Sequence, residues 1–197
     1  MIRYGNLTIR QADVADAKEL TAWWNDGTVM AHAGFPYGLG TNEEEVMEGL
    51  GNGCMVILEN DRMIGECNYR NVAEDIAEIG IKICENDCQN RGVGRKSLSM
   101  LIDWLFKKGY IKIILNTNFT NTRAQHVYEL LGFRKMRINI DSWKERDLLS
   151  FLHTIFNENA VAKCIGRKSV FCINNMYPFY ALLGRCFVGD CNEEVFG

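Results

Sequence analysis

The sequence predicts an α/β (α+β) domain built on a mixed central β-sheet, and three observations predict it. A strand and two helices open the chain, strands follow, and helix and strand then alternate. Ile79, Ile81 and Ile83 alternate with Gly80 and Lys82, the period of a strand, directly before a glycine-bearing loop. Leu98, Leu101, Ile102 and Leu105 then repeat at the spacing of one helix face.

Taken in order, Leu7 to Arg10 reads as the first strand, and Asp13 as the N-cap of a helix over Val14 to Asn25. Ala17, Leu20, Thr21 and Trp24 share one face of that helix. Thr28 to Gly40, with Gly34, Pro36, Gly38 and Gly40 among aromatics, reads as a loop. Thr41 is expected to cap a second helix, whose first turn carries Glu43, Glu44 and Glu45 at the positive end of the helix dipole. Cys54 to Glu59 and Met63 to Asn71 read as strands joined by a tight turn at Asn60-Asp61. Ala77 to Cys84 is a further strand. The patterned helix that follows ends at Lys107, Lys108 and Gly109, basic residues and then a glycine stop.

Ile111 to Thr117 is a strand of the buried type. Asn121 or Thr122 begins another helix, with Ala124, Val127, Tyr128 and Leu131 on one face and Gly132 as its end. Strands are expected over Phe133 to Ile140 and Asp147 to Phe156. No period continues beyond that point, so residues 1–156 read as the domain. Residues 157–197 read as an extension packed on the domain or on a second subunit of a homodimer.

Composition narrows the function classes. The chain has 197 residues, 47% apolar and 24% charged, which suits one domain with a real core. Its formal net charge of −3 and the lack of a basic run argue against nucleic acid as a partner. No stretch approaches the roughly 18 apolar residues of a membrane span, and Met1 to Gly5 has no apolar run of the leader type. The eight cysteines form no CxxC pair, so no metal site is expected; free thiols in a reducing cytoplasm are.

The chemistry concentrates at residues 89–94. A strand runs into Gln89-x-x-Gly92-x-Gly94 and then into a helix. The first N–H groups of a helix lack internal partners, and the helix dipole adds positive potential there. Glycines let the backbone approach a ligand closely. Arg91, Arg95 and Lys96 add positive charge, so a diphosphate would be well held. The dinucleotide fingerprint lacks its third glycine here, and Gly94-Arg95-Lys96-Ser97 departs from a P-loop by an inserted arginine and a missing first glycine.

Gln89 to Gly94 resembles the Q/R-x-x-G-x-G/A signature of the GNAT N-acetyltransferases. With Ile79 to Ile83 before it, the stretch looks like the branch that acetylates ribosomal-protein N-termini, polyamines and some antibiotics. Asn118-x-x-Asn121-x-x-Ala124-x-x-x-Tyr128-x-x-x-Gly132-Phe133 resembles the next motif of that family, and Leu7 to Ala12 its first strand. The resemblance spans about residues 7–156 and implies a GNAT fold, in which a splayed pair of parallel strands is flanked by helices.

It also implies direct attack of a primary amine on the thioester of acetyl-CoA. Backbone groups of Ile81 and Ile83 would hold the pantetheine arm. Gln89, Asn90, Arg91, Gly92, Val93, Gly94, Arg95 and Lys96 would hold the pyrophosphate, and Asn121 the cofactor arm. Tyr128, also beside the cofactor, matches the family's proton donor to the departing thiolate. Glu78 is the candidate base, with Glu66 its competitor, while the histidines His32, His126 and His153 read as isolated. The amine acceptor, a small molecule or a protein N-terminus, would meet Trp24, Asp26, Phe35 and Tyr37, with Trp23, Glu43 to Glu45, Trp143 and Asp147 as further candidates. A second reading is a binding module that senses acetyl-CoA without turnover; Asn121 and Tyr128 beside the phosphate loop favour the enzyme. Which amine is acetylated stays open.

Overall fold

The structure is a computed structural model that describes residues 1–51, 53–118 and 120–136. A six-stranded sheet forms its centre, in the spatial order of the chain: β1 (Ile2–Tyr4), β2 (Leu7–Gln11), β3 (Cys54–Glu59), β4 (Arg62–Ala73), β5 (Ile76–Ile83) and β6 (Lys112–Leu115). The first five strands run antiparallel to their neighbours, and β5 pairs with β6 in parallel. The sheet is therefore mixed, as expected, with an additional short edge strand ahead of Leu7. The β3–β4 turn is as tight as its sequence implies: Asn60 and Asp61 both take positive φ, 51° and 63°, the backbone of a two-residue hairpin.

Helices cover both faces, which is why β3 is buried almost throughout. On one face lie α1 (Ala17–Asn25), α2 (Gly27–Met30) and α3 (Glu43–Gly49); Leu20, Trp24, Met30 and Val46 pack there onto Cys54, Val56 and Leu58. On the other lie α4 (Val93–Lys107) and α5 (Thr122–Leu130), where Leu98, Leu101, Leu105 and Tyr128 join Ile57, Ile79 and Phe133. The helix expected from Val14 starts as a 3₁₀ turn, Val14–Asp16, before α1. Asp13 caps it: its side chain accepts from the Ala15 N–H at 2.9 Å, and Asp16 returns the bond to the Asp13 N–H at 2.9 Å.

Two local expectations are corrected. The segment 28–40 is not all loop: α2 and a 3₁₀ turn, Ala31–Ala33, occupy its first half. Asp26 nucleates them by accepting from the Thr28 N–H at 2.7 Å. The cap of α3 is Asn42, not Thr41; Asn42 forms a capping box with Glu45. Thr41 is drawn away by paired bonds with the Asn25 side chain, at 2.9 and 2.8 Å.

The feature that positions the site is where the parallel pairing stops. β5 and β6 pair from Ile76↔Lys112 to Ile79↔Leu115, and β5 then continues alone on that side to Ile83. The strand expected over Phe133 to Ile140 leaves the described residues after Met136, and the one over Asp147 to Phe156 and the extension 157–197 lie outside them. No helix among the described residues is long and apolar enough to cross a membrane.

Candidate active site

Where β5 runs on past β6, the sheet opens into a cavity of about 960 Å³. It is lined from both faces: Glu66 and Lys82 border it from the α2 side, Leu98 and Tyr128 from the α4–α5 side. This is large enough to enclose much of a drug-sized ligand.

One wall is the turn from β5 into α4. Gly92 is the N-cap of α4 with φ 78°, and no side chain caps the helix. The Lys96 N–H already donates to the Gly92 carbonyl at 3.1 Å, so the available donors are those of the residues just before it. Gln89, Asn90, Gly92, Val93, Gly94 and Arg95 all border the cavity. Asn90 takes φ 59°, so the chain turns sharply ahead of the helix. Gly94 lies against β5: a Cβ there would meet Ile83 Cγ1 at 3.4 Å. Uncapped N–H groups, a helix dipole and Arg95 at the rim give this turn the chemistry of a cradle suited to an anion.

Arg91 and Lys96 turn away from it. Arg91 forms an ion pair with Glu59 at 3.2 Å, and the Lys96 ammonium lies 4.6 Å from the Tyr4 ring centre. Both border a separate shallow depression on the outer side of α4.

A second wall is β5 with the start of α5. Ile81 and Ile83 border the cavity along the unpaired stretch of β5. Asn118 shapes the turn into α5 by accepting from the Thr120 N–H and hydroxyl, each at 2.9 Å. Asn121 caps α5, accepting from the Ala124 N–H at 3.2 Å, and also borders the cavity. Tyr128 is 7% exposed, packs edge-on against Phe133 at 6.1 Å, and reaches the same cavity. Burial pushes its phenol up to about 12, so the group keeps its proton at any physiological pH.

The third wall is the α2-facing surface of β4 and β5. Glu78 borders it, with the Arg70 Nε donating to its Oε2 at 2.7 Å and the Asn116 amide donating to its other oxygen. Glu66 is 1% exposed, with the Lys82 ammonium at 2.6 Å and the Trp24 indole N–H at 2.9 Å.

Among the described residues expected at the acceptor, none lines the cavity. Trp24 is buried beneath it, Asp26 caps α2, Phe35 packs on the core under α1 to α3, and Tyr37 is 94% exposed. The same segment contributes Thr28, Val29, His32 and Ala33 instead. Asn68, Arg70, Lys82, Asn116 and Arg123 also border the cavity, with no motif in the sequence to mark them, and His126, which reads as isolated in the sequence, stands at the rim. Asn68, Arg70 and Lys82 are brought together by the β4–β5 register, which the sequence alone does not fix. Trp143, Asp147 and His153 lie outside the described residues.

Comparison with known proteins agrees with this architecture. The model of a family described as an acetyltransferase (GNAT) domain matches residues 6–134. An uncharacterized protein from Methanocaldococcus jannaschii is 33% identical over 85 residues, 42% of this chain and 18% of that protein's length. In fold, the chain is similar to a GNAT-family acetyltransferase from Bacillus anthracis (TM-score 0.67, 18% identity, covering 79% of this chain and 97% of that one). It is also similar to an aminoglycoside acetyltransferase solved with coenzyme A (TM-score 0.64, 17% identity, covering 80% and 98%).

Proposed function

The chain belongs to the GNAT acetyltransferase domain family, and from that premise we propose that it is an N-acetyltransferase carrying an acetyl group from acetyl-CoA to a primary amine. The observation that carries this reading is the junction of the uncapped α4 N-terminus with the stretch of β5 beyond Ile79 that β6 leaves unpaired. A long ligand with a diphosphate and an amide-bearing arm needs both, side by side. The solved aminoglycoside acetyltransferase of similar fold holds coenzyme A, which supports the same choice of cofactor.

Acetyl-CoA supplies the thioester carbonyl and the sulfur leaving group. The chain's own residues do the rest. The N–H groups at Gly92 to Arg95 take the pyrophosphate, with Gln89 and Asn90 shaping the approach. Backbone groups at Ile81 and Ile83 and the Asn121 side chain hold the arm. Tyr128 keeps a proton for the departing sulfur, whose ordinary pKa is about 8.5 by analogy with cysteine. Glu78 takes the proton of the incoming amine, directly or through water. Direct attack fits the cavity's thiols: burial raises both Cys67 and Cys88, so neither is a ready nucleophile for an acyl-enzyme step.

Thermal unfolding of the full chain with and without acetyl-CoA tests the cofactor half of this reading, because a ligand that binds only the folded state raises the midpoint. A rise at millimolar cofactor is expected, and no rise overturns it. Thiol release from acetyl-CoA across a panel of amines tests the other half.

A further inference from the structure

The α2-facing wall of the cavity is a ladder of opposed charges. Glu66 stands directly across from Lys82, Asn68 from Gly80, and Arg70 from Glu78 in the β4–β5 register. All six border the cavity. The Lys82 ammonium lies 2.6 Å from Glu66, and Arg70 holds Glu78. The acid is on β4 at one rung and on β5 at the other, so neither strand presents a stripe of one sign. Between the two ion pairs, Gly80 leaves a dip over which the Asn68 side chain lies; a Cβ at Gly80 would meet Asn68 Oδ1 at 3.0 Å.

Resting on the acetyltransferase reading, we propose that this wall seats the acceptor amine at the Asn68–Gly80 dip and selects a monoamine with an uncharged, hydrogen-bonding body, the chemistry of a peptide N-terminus, over a polycation. A polycationic acceptor gains from carboxylates that still seek a counter-charge. Here each carboxylate of the described wall is met by a cation on the facing strand and by a further donor, Trp24 for Glu66 and Asn116 for Glu78. A second ammonium on the acceptor would have to displace Lys82 or Arg70, or lie beside it. A neutral amide body meets Asn68, Asn116 and the two ion pairs as hydrogen-bonding partners without that repulsion.

The test is thiol release by the full chain with acetyl-CoA and either a tripeptide amide bearing a free N-terminus or spermidine. We expect kcat/KM for the tripeptide amide to exceed that for spermidine by at least about tenfold. Arg70 is half-exposed, so Arg70→Gln removes the counter-charge of Glu78 without emptying the core, and it should move the ratio toward spermidine by about tenfold. A ratio of two acceptors on one variant cancels any general loss of turnover. Preference for spermidine in the unaltered chain, or a ratio that Arg70→Gln leaves in place, overturns the proposal while the acetyltransferase reading stands. A midpoint raised by acetyl-CoA with no amine-dependent thiol release overturns both.

Discussion

The side-chain amide of Gln89 donates to the main-chain carbonyl of Ile83 at 3.0 Å. That bond ties the first residue of the loop 89–94 to the last residue of β5. On its other side Gln89 accepts from Arg123 at 3.3 Å, so a single side chain links the strand, the loop and α5. The first position of the motif thus sets the angle between the anion cradle and the open edge of the sheet. Gln89→Ala should weaken coenzyme A binding by about fivefold, the equivalent of one hydrogen bond of about 1 kcal/mol. Titration calorimetry with coenzyme A measures it. Unchanged affinity would mean that the loop holds its shape without this link.

Gly92 sits at φ 78°, where a side chain is strained, and nothing lies within 4 Å of where its Cβ would be. The cost of substitution there is backbone strain alone. Gly92→Ala should lower stability by about 1 kcal/mol, and Gly92→Asn by less, because Asn tolerates the left-handed region. Denaturant midpoints at constant slope distinguish the two. Equal losses would point to a contact rather than to φ.

Lys82, partly buried, pairs with the fully buried Glu66; their side chains are 19% and 1% exposed. Among the described residues, Lys82→Met leaves the carboxylate with the Trp24 indole alone and should cost about 3–5 kcal/mol. Adding Glu66→Gln removes the orphaned charge while keeping an acceptor for Trp24, so most of the loss should return. A double variant as unstable as the single one would contradict this coupling.

Tyr128 gives a prediction in pH. Its folded pKa of about 12 is raised by burial above the unfolded value of about 10, so the neutral phenol is favoured in the folded state. Its contribution is fully present below pH 10 and is lost as pH rises toward 12, up to about 3 kcal/mol. Tyr128→Phe should flatten that part of the stability–pH curve. It should also lower kcat by about 100-fold with the acetyl-CoA-induced rise in midpoint retained. Unchanged turnover would remove Tyr128 from the chemistry.

Local signals made much of this fold legible. The apolar spacing Leu98, Leu101, Ile102, Leu105 and the stop at Gly109 outline most of α4, and Asn60-Asp61 fixes a hairpin. Where neighbours compete, the sequence is ambiguous. Thr41-x-x-Glu44 and Asn42-x-x-Glu45 are both capping boxes on paper, and the distant Asn25 decides between them. The four-residue α2 has no periodicity to read; Asp26 and the close approach of Gly27 to Pro36 define it. The cradle was legible because one continuous loop carries it. The charge ladder was not, because a register shift between Asn71 and Ala73 sets which residues of β4 and β5 face each other. Trp24 falls on the apolar face of α1 by spacing alone; what the sequence does not show is its indole bond to Glu66, 42 residues away.

The most direct test of the central claim is thiol release from acetyl-CoA by the full chain, measured with and without a primary amine. The account predicts release that depends on the amine, saturates with it, and falls about 100-fold in Tyr128→Phe. Release that is indifferent to any amine, in a protein whose unfolding midpoint acetyl-CoA nonetheless raises, would contradict the enzyme and leave a binding module.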